Sequence, residues 1–286
     1  MGSFTKKQRR AYTLVGMLLF VLLFPATFQD RGEGTGRYQV DIVAFGDSEF
    51  GEVRDGTAVP SLLQELIDRS VFNAGMGGTC LARLERDKRL DYAKGSLSMT
   101  GLAKAIWAGD FGVQRTARIR ESMTEYFPEV VAGLAEVDFS RVEIVLIQQG
   151  LNDYHAGVPI ENPEDPWDEY TFLGALRSSV YALRKANPDI RIVVVSPIYT
   201  WYTAKGTTCQ EEDQGGGVLE VYVEALERAA GELELEFIDM YHDLYPHEEW
   251  EDWKRYTRDG MHLNEAGRRL MAEKIARELD SPQRQK

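Results

Sequence analysis

Apolar residues fall along the chain in blocks of two lengths. Short runs, rich in β-branched residues, lie at 40–45, 71–73, 142–148, 190–196 and 235–239. Val142-Glu143-Ile144-Val145-Leu146-Ile147 and Ile190-Arg191-Ile192-Val193-Val194-Val195 are nearly continuous, as strands buried on both faces of a parallel sheet must be. Longer stretches at 60–68, 98–108, 113–136, 168–185, 218–232 and 264–279 read as helices. In these, Leu62-Leu63 recurs with Ile67, and Leu270-Met271 with Ile275, the spacing of one apolar helix face. Such stripes are core. Strands alternating with helices predict a doubly wound α/β sandwich, and right-handed crossovers restrict its topology. Three long loops, 75–97, 151–167 and 201–217, leave the carboxyl ends of strands, the edge where open α/β sheets bind ligands.

The amino terminus follows a different pattern. Lys6, Lys7, Arg9 and Arg10 precede an uncharged stretch at 11–28. As a helix it would span roughly 27 Å, about one hydrocarbon core. Basic residues before it put residues 1–10 in the cytoplasm as a tail and the body outside. The expectation is a single-pass transmembrane anchor. A cleaved signal peptide is the competing reading, and would make the protein secreted. The exit Phe24-Pro25-Ala26-Thr27-Phe28-Gln29 lacks paired small residues at alternate positions, which favours the anchor. Residues 29–38, polar and Gly-rich, read as a linker. The globular domain is expected over 39–281, with a tail at 282–286.

Composition agrees with a globular body, at 43% hydrophobic and 28% charged. The formal charge is −13, and the exported body is more negative still, since the first 29 residues hold four cations and no acid. Such a body repels nucleic acid and anionic surfaces. A neutral small-molecule or glycan ester fits it better as a substrate than a polyanion. The oligomeric state is not legible.

The chemistry gathers at strand ends. The first strand breaks at Phe45-Gly46-Asp47-Ser48, which sets a serine hydroxyl at the carboxyl edge. Serine needs a base to take its proton. Asp259-Gly260-Met261-His262 supplies a histidine with an aspartate three residues before it, placed to orient the imidazole. Asn264 can cap the last helix, leaving His262 in the loop before it. Acyl transfer also needs donors where an oxyanion develops. Asn73-Ala74-Gly75 ends the second strand, and Gly150-Leu151-Asn152-Asp153 ends the third. Each match alone is an ordinary turn; all four in order are not.

Ser48, Gly75, Asn152 and His262, one from each block, resemble the four residues that name the SGNH hydrolases, also called the GDSL esterase/lipase family. The resemblance runs from about residue 40 to 279. It implies a flavodoxin-like three-layer α/β/α sandwich with a five-stranded parallel sheet of order 2-1-3-4-5. It also implies a Ser48-His262-Asp259 triad, an oxyanion hole from the N–H groups of Ser48 and Gly75 with the Asn152 amide, and no metal or cofactor. Glu49 stands where the family name has leucine, and a carboxylate there would disfavour anionic substrates. The Gly-x-Ser-x-Gly elbow of α/β-hydrolases is absent around Ser48.

Glu49, Tyr154, Trp201 and Tyr202 are the candidate substrate-binding residues, with ordinary loop packing as the alternative for the aromatics. His155, His242 and His247 lack metal-ligand spacing, and Asp153 reads as a loop brace. The expected activity is serine ester hydrolysis on small acyl esters or surface glycans. An O-acyltransferase and an inactive binding module are the rivals. Cys80 and Cys209 are the only cysteines, and export permits a disulfide between them. In the family's strand order their loops start about 14 Å apart, at ~4.8 Å per strand. Eight residues of extended chain from Trp201 can reach that far.

Overall fold

Five strands form one parallel sheet in the computed structural model, which describes residues 38–84, 95–117, 124 and 126–281. The basic tail, the apolar stretch at 11–28, nearly all of the linker and the tail at 282–286 lie outside the described residues. Among the described residues, no helix is long and apolar enough to cross a membrane. Tyr38, assigned above to the linker, belongs to the body: its N–H donates to Glu136 O and its carbonyl accepts from Asp138 N–H.

The strands are β1 (Ile42–Gly46), β2 (Val71–Asn73), β3 (Ile144–Gln148), β4 (Arg191–Val195) and, after a short hairpin of β5 (Trp201–Tyr202) and β6 (Thr207–Thr208), β7 (Glu236–Ile238). The parallel order is β2-β1-β3-β4-β7, the expected order with β7 as fifth strand. Every residue of β1 and β3 is buried, which is why those runs read as continuous apolar blocks.

The helices are α1 (Ser48–Gly51), α2 (Val59–Ile67), α3 (Met99–Ala108), α4 (Gly112–Arg115), α5 (Phe127–Glu136), α6 (Leu151–Ala156), α7 (Phe172–Ala186), α8 (Leu219–Glu232), α9 (Trp253–Tyr256) and α10 (Glu265–Leu279). The sheet runs outward from β1 in both directions, so right-handed crossovers put α2 on one face and α3, α7 and α8 on the other. Correspondingly α2 packs on α10, and α3 on α7. In α10, Met271, Ile275 and Leu279 form the buried stripe at four-residue spacing. Its N-cap is Asn264, whose Oδ1 accepts from Gly267 N–H at 3.0 Å, as the sequence predicts.

Three expectations change. The helix expected at 113–136 is two pieces, α4 and α5, with residues 118–123 and 125 between them outside the described part. The helix expected from 168 begins at Phe172, because Thr171 caps it through Gly174 N–H. Two expected loops hold structure: α6 lies in 151–167, and the β5–β6 hairpin lies in 201–217.

Candidate active site

The site sits where the strand order reverses. β1 and β3 are neighbours and finish level, with Gly46 opposite Gln148. The chain leaving β1 carries Ser48, and the chain leaving β3 carries Asn152, so the two emerge side by side at the switch point. Asp47 holds the bend after β1. Its N–H donates to Gln148 O at 3.2 Å, and its Oδ1 accepts from Glu49 N–H at 3.1 Å, starting α1 with Ser48 as first residue. Burial pushes the Asp47 carboxyl up to about 6, while the Glu49 N–H and the nearby His262 pull it back. The Ser48 side chain is half-buried.

The histidine comes from a tight turn. Thr257 and Leu263 pair across it, and Arg258 N–H donates to His262 O at 2.8 Å. Gly260 turns at φ 95°, and a Cβ there would lie 2.4 Å from Trp201 O, so only glycine fits. Asp259 is held twice. Its Oδ1 accepts the N–H groups of Met261 and His262 at 2.9 and 2.8 Å, and its Oδ2 lies 2.8 Å from His262 Nδ1. Burial raises the Asp259 pKa, but the His262 and Met261 bonds outweigh it and leave the carboxyl below its ordinary value. With Nδ1 engaged by Asp259, the other ring nitrogen, Nε2, is the one available to act as a base.

Gly75 is not placed as a donor. Its N–H is taken by Asn73 Oδ1 at 2.9 Å, while Asn73 Nδ2 donates to Phe50 O at 2.8 Å. A Cβ on Gly75 would lie 2.7 Å from the backbone of Phe50 and Gly51. The glycine is needed for close packing of the β2 end on α1. The next turn is better placed. Gly77 faces Ser48, with a built Cβ at 3.7 Å from the serine Cβ. Among the described residues neither Gly77 nor Gly78 N–H, nor that of Ser48, finds an acceptor. Asn152 leans over the same turn, its Nδ2 donating to Thr79 O at 3.2 Å.

Asp153 braces these loops. Fully buried, it accepts Leu81 and Ala82 N–H at 2.8 Å each, tying the end of β3 to the loop after β2. Burial pushes its pKa up to about 7, against the pull of those two N–H groups. For a carboxyl whose folded-state pKa exceeds its unfolded one, stability is greatest below the ordinary value and falls as pH rises through the raised one. Asp153→Ala should lose about 2–4 kcal/mol at neutral pH, because two buried amides lose their acceptor. Its urea-unfolding free energy should also fall less than the wild type's between about pH 5 and 8.

The proposed substrate contacts divide. Glu49 is only 4% exposed, and its Oε2 accepts Leu263 N–H at 3.2 Å, so it faces the His262 loop and not a substrate. Tyr154 is fully buried, its hydroxyl donating to Glu212 O at 2.6 Å. Trp201 is also buried, stacked on Tyr245 and edge-on to Tyr199. Its backbone N–H donates to Gly260 O at 2.8 Å, steadying the histidine turn. Tyr202 is half-buried, with its hydroxyl 2.9 Å from His155 Nε2. His155 lies one helical turn past Asn152, and its sequence spacing does not suggest this contact to Tyr202. Burial pushes its pKa down to about 4, and His262 and Lys205 add to the drop, so it is neutral.

Cys80 and Cys209 are both buried and no disulfide joins them, which corrects the expected bridge. The chain after Trp201 doubles back as the β5–β6 hairpin, so Cys209 N–H bonds Thr200 O at 3.0 Å. Its sulfur lies between Thr200 N and the Tyr241 hydroxyl. An open cleft lies beside this hairpin, lined by Tyr199, Gln210, Glu211, His247 and Trp250 among others; neither Ser48 nor His262 lines it. Among the described residues, no three His, Cys, Asp or Glu side chains gather as a metal site.

The fold and this edge define a flavodoxin-like α/β protein with an aspartate-held histidine and a serine at the switch point. The chain matches the sequence model of the GDSL-like lipase/acylhydrolase family over residues 42–270. It belongs to that family, one of carboxylic ester hydrolases. No curated protein matches it. Among solved structures it is similar to a Lactobacillus plantarum protein, at 18% identity and TM-score 0.59, covering 86% of this chain and 99% of that one. It is also similar to a protein described as a possible lipase from Chitinophaga pinensis, at 16% identity and TM-score 0.55, covering 84% and 98%. These likenesses show the fold.

Proposed function

We propose that the protein is an extracytoplasmic serine esterase acting on small acyl esters, such as those carried by surface or cell-wall glycans. The observation that carries the reading is the Asp259–His262 pair, anchored through Leu263 to the helix that begins with Ser48. Ser48 Oγ attacks the ester carbonyl carbon while His262 Nε2 takes its proton. The oxyanion forms against the N–H groups of Ser48 and the Gly77–Gly78 turn and the amide of Asn152. Collapse expels the alcohol, which takes the proton from His262. Water then attacks the acyl-enzyme as His262 accepts its proton, and on collapse His262 returns that proton to Ser48 Oγ while the acid leaves. Tyr202 and His155 form the neutral wall beside this centre.

The test is release of acid from chromogenic esters graded from acetyl to decanoyl, with and without an added glycan. Turnover that favours short chains and is unchanged by glycan supports the esterase. Loss of free acid as acyl-glycan appears would show a transferase, and no turnover on any ester would sink both. Asn152→Ala should lower kcat by about 100- to 1000-fold with little change in KM; wild-type kcat would remove Asn152 from the site. The extracytoplasmic part of the proposal rests on the basic residues before the apolar stretch at 11–28. Retention of the full chain on membranes through salt washing tests it. A chain free in the medium that begins near Gln29 would show a cleaved signal instead.

A further inference from the structure

The segment that carries His262 is joined to the segment that carries Ser48 by side chains, across more than two hundred residues of sequence. Arg268, itself buried, donates to Leu263 O at 3.0 Å and to Thr57 O and Oγ1 at 2.8 and 2.9 Å. Arg258 pairs with Glu52 at the surface. Glu49 holds the other side of Leu263, at its N–H. Leu263 is thus gripped at both backbone groups, and it directly follows His262.

Of the three ties, Glu49 is the one whose presence stability does not explain. It lies in a buried position next to Phe50, and among the described residues its Oε1 has no hydrogen-bond partner. A buried carboxyl with one oxygen unmatched destabilises a fold relative to an apolar side chain of similar size. Among the described residues its side chain makes one hydrogen bond, to the residue after the candidate base, and the gain from keeping it lies there. A small displacement of a catalytic group costs about 100-fold in rate, so a bond that fixes the histidine turn on the nucleophile's own helix has a large effect to contribute.

We propose that Glu49 is a positioning residue, which keeps His262 aligned with Ser48 by tethering Leu263 N–H to the helix that begins with the nucleophile. The proposal rests on the serine-esterase reading. Burial, the Asp47 charge and the more distant Glu52 push the Glu49 carboxyl well above its ordinary range, while the Leu263 N–H and Arg258 pull it back. Burial thus favours the neutral form of the Glu49 carboxyl, and its Oε2 accepts the Leu263 N–H. It then adds no second negative charge next to the Asp259–His262 pair. This predicts that the amide of glutamine, also neutral and of the same length, can replace it.

The experiment compares Glu49→Gln and Glu49→Leu. Glu49→Leu keeps the volume and removes the acceptor. Its kcat should fall about 10- to 100-fold with KM within about twofold, while its Tm stays level or rises. Labelling of Ser48 by a fluorophosphonate should slow in parallel. Glu49→Gln should restore kcat to within about threefold of wild type. A purely structural role predicts the reverse, with lower Tm and activity lost only in proportion to unfolded protein. Wild-type kcat in a folded Glu49→Leu overturns the proposal, and so does a Glu49→Gln as slow as Glu49→Leu. Should Glu49→Leu fail to fold, hydrogen exchange of the Leu263 amide in the wild-type protein decides. Protection well above that of an open loop amide supports the tether, and exchange at the open-loop rate overturns it. An inactive, unlabelled wild type would instead be a failure of the esterase reading, and the amide measurement would still stand.

Discussion

Ser48→Ala should reduce ester hydrolysis by about 10⁴-fold or more while leaving the fold as stable as before. Loss of the nucleophile leaves only what the oxyanion donors and substrate binding contribute, on the order of 10³–10⁴ over water. The fold should not notice, for three reasons visible in the structure. The bend after β1 is held by Asp47 and not by Ser48. Ser48 is half-buried, and among the described residues its hydroxyl has no hydrogen-bond partner. Across the site, even a methyl group built on Gly77 would lie 3.7 Å from the serine Cβ, so the side chain is not wedged against that turn. Turnover of an acetyl ester and labelling by a fluorophosphonate, read beside a urea-unfolding curve, check both halves. A purified, folded variant that hydrolyses the ester at the wild-type rate would rule out Ser48 as nucleophile.

Much of this architecture is legible in the sequence, because buried parallel strands leave little freedom. β1 and β3 must be apolar at every position, so their runs are continuous and their ends are sharp. Polar residues at those ends stand out for the same reason. Ser48 and Asn152 are found at once, each within a few residues of a strand end. Asp259 and His262 are found because the turn that pairs them is local: three residues separate them, and the carboxylate caps its own turn.

What the sequence leaves open are the directions in which side chains point. Glu49 looks like a charge at the mouth of the site. Its real partner is Leu263, 214 residues away, and no local pattern encodes that. Gly75 has the right signal, a glycine at a strand end that lets backbone approach closely. The approach is to α1, and the Asn73 side chain has already taken its N–H. Trp201 and Tyr154 are aromatic and near the site, but their rings are packed among other rings and only Tyr202 remains at the surface of the group. The cysteine bridge failed for a related reason. The reach of eight extended residues was real, yet the chain folded them into a hairpin, where backbone pairing satisfies groups that an extended loop would leave to water.

His262→Ala should be nearly as damaging as Ser48→Ala, with kcat down by about 10⁴-fold or more, because triad members act as one unit. The reason lies in the turn. Asp259 offers one oxygen to the imidazole and the other to the backbone of Met261 and His262. Alanine at 262 loses the ring but keeps that backbone bond, and Leu263 stays held by Glu49 and Arg268. The turn should therefore persist, and since the ring is 28% exposed its loss opens no core cavity. Activity should disappear with little change in Tm. Asp259→Asn tests the other end of the pair. The amide keeps an acceptor for the backbone or for the ring but not both, and it does not balance a charged imidazole, so kcat should fall about 10⁴-fold. The decisive measurement is the double variant Ser48→Ala/His262→Ala. If His262 works only by taking the Ser48 proton, the double variant is no slower than Ser48→Ala alone. A further loss of about a thousandfold in the double variant would show the two residues acting independently, and would take His262 out of the serine's proton path.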